Sequence, residues 1–200
     1  VAFADVMDTN QIIKNIAKAI GKKSTEKFAI IKTRQPGNPI NYYASLFQYM
    51  SQFRLEGNAI ETPPMIIINN KTIDKSIRKI EKYYTKHENH YPFDIICIRR
   101  NAEDGKIFAI VKKIEISRKG VKYTYKLDSV ILRDTQKKHT SAYITCNKKQ
   151  FAFDGESFSR MQPFNWVEKL NKNEQWRFSE QYKTYFNFRN GYHTLLYYRV

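Results

Sequence analysis

The sequence predicts an α+β fold in which N-terminal helices pack on a C-terminal antiparallel β-sheet. Three observations carry this expectation: apolar residues recur at helical spacing early in the chain, the period changes to two from Phe93, and short turn signals separate the later runs. A chain of 200 residues buries roughly 70% of the surface it exposes when unfolded, so one domain over 1–200 is expected, mainly helical over 1–60 and strand-rich over 61–200.

From Asp8 onward, Ile12, Ile13, Ile16, Ala17 and Ile20 share one helical face, with Asp8 as N-cap and Gly21 as the stop. The segment TRQPGNP is turn chemistry, and Asn41 to Phe53 reads as a second helix with Phe47, Met50 and Phe53 facing inward. Pro63 and Pro64 force an extended entry into Met65 to Ile68, a short strand apolar on both faces and therefore expected at the centre of the sheet. Next, the run from Thr72 to His87 places Ile73, Ile77, Ile80 and Tyr84 on one helical face and lysines on the others.

From Phe93 to Asp154 the runs FDIICIRR, IFAIVKKIEI, VKYTYKLDSVILR, HTSAYITC and QFAFDG are divided by NAEDGK, SRKG, DTQKK and NKK, the pattern of an antiparallel meander. In the third run Tyr123, Tyr125, Leu127, Ser129 and Ile131 are expected on one face, with Lys122, Thr124, Lys126 and Asp128 on the other. Beyond Asp154 the sequence predicts an irregular stretch, a helical turn at FNWVEKL, and a final strand or hairpin around Asn190-Gly191.

Composition narrows the chemistry. Thirteen Phe, 14 Tyr and 2 Trp supply a large apolar core, and the chain has only two cysteines, Cys97 and Cys146, both inside apolar runs. A disulfide framework is excluded, and neither the cysteines nor His87, His90, His139 and His193 show a zinc-ligand spacing, so no metal and no cofactor are expected. There is no GxGxxG or GxxxxGK[ST] phosphate loop and no DxD pair of the kind metal-assisted phosphoryl transfer uses. No apolar stretch approaches the ~18 residues of a membrane span, and no signal pattern opens the chain. The expected location is therefore intracellular, cytoplasmic or nuclear. Val1 in place of an initiator Met is expected of a processed chain or a fragment.

Lys and Arg outnumber Asp and Glu by 35 to 19, for a net charge of +16, a surplus that attracts phosphate backbones and other anionic partners. The basic dipeptides are spread along the chain rather than gathered in one tail, which also fits a generally solvated surface. Abundant Lys, Asn, Ile, Tyr and Phe is what AT-rich coding produces, making a large AT-rich DNA virus an expected source, with a virion or infected cell as the setting.

One constellation can carry chemistry. His139 opens one predicted strand and Asp154 closes the next, so a hairpin brings the carboxylate diagonally beside the imidazole, where it can fix the ring's tautomer and stabilise its cation. The run YKLDSVILRDTQKKHTSAYITCNKKQFAFDGESFSR, with Leu127 to Leu132, His139, Phe153-Asp154 and Ser159-Arg160, resembles the C-terminal catalytic box of ubiquitin-specific proteases. TPPMIIINNK resembles the Pro-Pro strand upstream of that box, so the likeness covers residues 62 to 160. The resemblance implies a papain-like deubiquitinase fold, His139 as base, Asp154 as orienter, and a ubiquitin-like protein or peptide as substrate. The chain departs from the family in three places: no nucleophile box precedes Cys97, Thr140 stands where an aromatic is usual, and Gly155 where a second acid is usual. Cys146 lies seven positions along the strand from His139 and on its other face, so Cys97 is the cysteine left that could approach the imidazole across the sheet, although its flanking isoleucines favour a buried, inert thiol. A catalytically silent relative, a pseudoenzyme, is the companion expectation.

The alternative is a basic nucleic-acid-binding or viral scaffold protein that uses the aromatic and basic segment QYKTYFNFRNGYHTLLYYRV to stack bases.

Overall fold

The computed structural model describes residues 65–69, 72–101, 109–134, 139–155, 157–181 and 184–200. The chain divides into two compact units, Val1–Met65 and Ile66–Val200, where the sequence reads as a single domain. The helices expected from Asp8 and from Asn41 lie outside the described residues, as does any cleft between them and the sheet.

The described elements, in chain order, are β1 (Met65–Asn69), α1 (Ile73–Lys86), β2 (Ile95–Asn101), β3 (Lys113–Arg118), β4 (Val121–Arg133), β5 (Thr140–Cys146), β6 (Lys149–Phe153), β7 (Gln162–Pro163), α2 (Trp166–Lys169) and β8 (Tyr192–Arg199). Helix α1 begins where the Thr72 hydroxyl accepts the Lys75 N–H at 3.3 Å, an N-cap bond that satisfies one donor of the first turn. Its buried residues are Ile73, Ser76, Ile80 and Tyr84, and Ile77 is half-buried, so the expected face forms with Ser76 added. The Glu81 carboxylate accepts the Ser117 N–H at 3.1 Å, and the Tyr84 hydroxyl accepts the Phe93 N–H at 2.7 Å, tying the helix to β3 and to the approach to β2.

Strands β2 to β8 pair antiparallel, but not as the meander the runs predict. The order is β1-β2-β8-β4-β5-β6-β7, with β3 paired to β4 off this path. The last strand thus inserts between β2 and β4, a non-local pairing that local periodicity does not encode. Since Tyr125 pairs with both Ile114 and Arg199, and Ser129 with both Ile144 and Leu196, β3 and β5 share one edge of β4 while β8 covers the other. Strand β1 stands at the end of the order rather than at its centre, with only Ile68 fully buried. Its apolar composition reflects residues half-covered on both faces.

Two hairpins are closed by two-residue turns whose positive φ values match the right-handed twist of the strands. Lys119 and Gly120 (φ 47 and 78) join β3 to β4, and Asn147 and Lys148 (φ 49 and 64) join β5 to β6. Lys149 is therefore the first residue of β6, paired with Cys146, and the connection is shorter than the NKK expected. In the run expected as a strand from Ile107 to Ile116, the described residues are strand from Lys113 onward and not over Ala109–Lys112. Ahead of it, the Asn171 side chain substitutes for a strand partner, its oxygen accepting the Ile110 N–H at 2.6 Å and its amide donating to the Ile110 carbonyl at 2.9 Å.

In β4 a bulge between Leu127 and Ser129 shifts the register with β8. Before it Tyr125 is buried, and after it Val130 and Leu132 are, so Ser129 and Ile131 do not share the face of Tyr125 as the alternation predicts. On the inner face of the sheet the core runs through Ile96 and Ile98, Leu195 and Tyr197, Val130 and Leu132, Tyr143 and Ala152. Trp166, Trp176, Phe186 and Phe188, from the segment between β7 and β8, complete it. Trp166 ties this segment to the sheet by donating Nε1–H to the Ile144 carbonyl at 3.2 Å.

Candidate functional site

The hairpin register brings His139 and Asp154 together. With Cys146 opposite Lys149 and Ala142 opposite Phe153, continuing the ladder by one residue sets Asp154 across from Ser141, two positions from His139 and on the same face. The His139 Nε2 and Asp154 Oδ1 atoms are hydrogen-bonded, and the carboxylate is buried while the ring is partly exposed. An ionised carboxylate only accepts, so in this pair Nε2 carries the proton. Proton exchange with a reacting group then runs through Nδ1.

Asp154 is held through both its side chain and its backbone. Ser157 Oγ donates to Asp154 Oδ2 at 2.7 Å, and the Ser157 and Phe158 N–H groups donate to the Asp154 carbonyl at 3.0 and 2.8 Å. On the histidine side, the Asp134 N–H donates to the His139 carbonyl at 2.9 Å, tying the end of β4 to the start of β5. The Phe186 ring lies 5.8 Å from the imidazole, centroid to centroid. Beneath the pair, the Tyr143 hydroxyl accepts from Ser141 Oγ at 2.7 Å and from Trp176 Nε1 at 3.0 Å, locking the strand that presents His139. Burial pushes the Tyr143 hydroxyl well above the usual phenol range, so it remains a neutral anchor.

Neither cysteine reaches this pair. Cys97 pairs with Leu196, Leu196 with Ser129, and Ser129 with Ile144, a row on the face opposite Ser141 and Tyr143. It also lies three strands from β5, a lateral separation of about 14 Å. Cys97 does not approach His139 across the sheet and is buried, as its flanking isoleucines favour. Burial pushes its thiol up to about 12, so the thiolate is strongly disfavoured as well. Cys146 sits on the outer face with Ala142 and Ile144, about 23 Å along the strand from His139 at about 3.3 Å per residue. It is half-buried beside the turn, not the fully covered core residue its apolar run predicts.

A prediction follows for the two thiols. An alkylating reagent is expected to modify Cys146 in the folded chain and leave Cys97 unmodified until denaturant is added, as read by intact mass. Rapid double modification under native conditions would contradict the placement of Cys97.

Of the other residues in the matched box, Ser159 and Arg160 are exposed, and Phe153 points away from the pair. Gly155 needs no glycine-only backbone, and a Cβ there would meet only the Phe153 ring at 3.7 Å, so a second acid is sterically allowed at this position. The sequence reading missed Ser157, Phe186 and the Ser141, Tyr143 and Trp176 network. Ser157 lies only three residues after Asp154, so this contact is local in sequence. Phe186 and Trp176 are brought in by the segment before β8. Among the described residues no group of three or more His, Cys, Asp or Glu side chains is placed to hold a metal ion, and no helix is long and apolar enough to cross a membrane.

No family model and no curated protein matches the sequence. Among solved structures the chain is similar to a chain of the SAGA Ubp8/Sgf11/Sus1/Sgf73 DUB module, at 10% sequence identity and a TM-score of 0.43. That match covers 70% of this chain and 35% of the other, so the chain spans about a third of the length of the structure it matches. A likeness of this size carries no argument about fold or function.

Proposed function

We propose that the chain is a ubiquitin-specific-protease-like hydrolase domain in which His139 is the base and Asp154 its orienter, and that its own cysteines leave it catalytically silent. The hydrogen-bonded His139 and Asp154 pair carries this reading, because a carboxylate buried behind an imidazole and held by Ser157 is the orienting half of a nucleophile, base and orienter arrangement. In an active site of this kind a thiolate attacks the scissile carbonyl, His139 Nδ1 relays the proton to the leaving amine, and Asp154 stabilises the imidazolium. The ligand class is a ubiquitin-like protein or a peptide. Histidine and aspartate without a thiolate bind and orient but do not cleave.

A fluorogenic ubiquitin amide tests this, read against the His139→Ala variant. No turnover above background is expected from either protein, and a ubiquitin carrying a thiol-reactive C-terminus is expected to form no adduct at Cys97 or Cys146. Turnover that disappears in His139→Ala would show that the chain supplies a nucleophile of its own and would overturn its catalytic silence. The net charge of +16 favours a second reading, a basic nucleic-acid-binding or scaffold protein, for which DNA binding would weaken steeply with salt.

A further inference from the structure

The sheet face opposite His139 presents aromatic rings beside cations. Along β8 the residues alternate: His193, Leu195 and Tyr197 are buried on the face that His139 shares with Ser141, and Tyr192, Thr194, Leu196 and Tyr198 stand on the other. Tyr192 and Tyr198 are 41% and 43% exposed, so neither ring is used up in the core. Each has an exposed basic cross-strand partner on β4, Arg133 for Tyr192 and Lys126 for Tyr198. Side chains directly opposite in an antiparallel pair start about 5 Å apart, and the Arg133 guanidinium lies 5.6 Å from the Tyr192 ring centroid. On the other side of β8, Arg99 of β2 pairs with Thr194, between the two tyrosines. Among the described residues none of Arg99, Lys126 and Arg133 forms an ion pair with a carboxylate. Glu115, on the same face of β3, is already engaged by Lys113 at 2.8 Å.

Rings flanked by positive charge fit a single-stranded nucleic acid, because bases stack on aromatic side chains and on guanidinium planes while the cations neutralise phosphates. Tyr192 and Tyr198 lie roughly 20 Å apart along β8, so one strand of several nucleotides reaches both. Between them on this face Leu196 and Ile131 are apolar and half-buried, which suits a deoxyribose better than a ribose whose 2′-hydroxyl would lose its hydration. An acidic polypeptide would use the charges and leave the rings idle. The net charge of +16 draws a polyanion to the chain in the first place.

We propose that this face binds single-stranded DNA along β8, with bases stacked at Tyr192 and Tyr198 and phosphates held by Arg99, Lys126 and Arg133. This rests on the nucleic-acid reading of the net charge, gives it a surface, and is independent of the His139 and Asp154 pair on the far face. The test is fluorescence anisotropy of labelled oligothymidine with the whole chain at low salt. Tyr192→Leu combined with Tyr198→Leu is expected to weaken binding about 25-fold or more, about fivefold for each lost stack, while Tyr192→Phe combined with Tyr198→Phe retains it. Lys126→Gln combined with Arg133→Gln is expected to lower the slope of log affinity against log salt by about 1.4. Lys79→Gln combined with Lys82→Gln, on the exposed side of α1, whose buried residues join the core beneath the far face, should leave the slope unchanged. Circular dichroism confirms that each variant is folded. If the leucine variant is not, photo-cross-linking of a bromodeoxyuridine oligonucleotide to the unsubstituted chain decides, with adducts at Tyr192 or Tyr198 expected and adducts only elsewhere contradicting the proposal. Salt-sensitive binding that the leucine variant keeps would sink this face and leave the nucleic-acid reading standing, whereas no binding at low salt sinks both. Equal or tighter binding of duplex DNA, oligouridine or polyglutamate at matched charge would also overturn the proposal.

Discussion

Gly191→Ala is expected to lower stability by about 4 kcal/mol or more, enough to unfold a marginal domain. Gly191 immediately precedes β8 at φ +83, and a Cβ built there would lie 2.1 Å from the Arg133 carbonyl oxygen. That neighbour is backbone, held in the β4–β8 ladder, so it cannot swing aside as a flexible side chain would. Relief of the clash requires β8 to separate from β4 where Arg133 pairs with both Tyr192 and Thr140, next to His139. Gly120 is the internal control. It has a similar φ of +78, but nothing lies within 4 Å of its added Cβ. Gly120→Ala therefore carries only the left-handed backbone penalty, about 1–2 kcal/mol. Urea denaturation of the two variants side by side measures the difference, and equal losses would show that the β8 to β4 packing is not as tight as described.

Acid is expected to destabilise the chain through His193, by about 3 kcal/mol between pH 7 and pH 4 beyond the effect of carboxylate titration. His193 lies fully buried between Arg100 on β2 and Leu132 on β4. Burial, and secondarily the Arg100 charge, push its imidazole down to about 3. The Phe188 backbone acts weakly in the opposite direction, although neither ring nitrogen reaches hydrogen-bond geometry with any partner. The sign follows from linkage. The unfolded chain binds a proton at His193 below about pH 6.5, the folded chain does so only near pH 3, and stability therefore falls as pH drops through that window and is unaffected above it. His193→Leu fills the site with an apolar side chain and removes the titration, so its unfolding free energy should decline less between pH 7 and pH 4 than that of the unsubstituted chain. Parallel declines would show that His193 is not buried as a neutral ring.

Both positions show where sequence reasoning reaches and where it stops. Helix α1 was legible because Ile73, Ile80 and Tyr84 repeat at its own period, and the β5–β6 hairpin because two alternating runs flank a short polar turn. His139 and Asp154 were legible as a pair for the same reason: the hairpin is local, and its geometry follows from strand spacing. The place of β8 was not legible. Its neighbours are the separate strands β2 and β4, and no local period states which strands a final strand joins. The bulge at Asp128 was hidden too, because it inverts the faces within a run whose alternation looks regular. Cys97 illustrates the consequence. Its run identified burial correctly, but only the β8 insertion and the bulge together determine that it lies on the far face from His139.

Asp154 orients and holds the His139 ring through the Nε2 hydrogen bond. Long-range ¹H–¹⁵N NMR of the imidazole at neutral pH, in the unsubstituted chain and in Asp154→Ala, measures this. A single tautomer protonated at Nε2 is expected, with a proton resonance shifted downfield by its hydrogen bond, replaced in Asp154→Ala by nitrogen shifts averaged between tautomers. Averaged shifts already present in the unsubstituted chain, or an Nε2 resonance unchanged by the loss of Asp154, would contradict it.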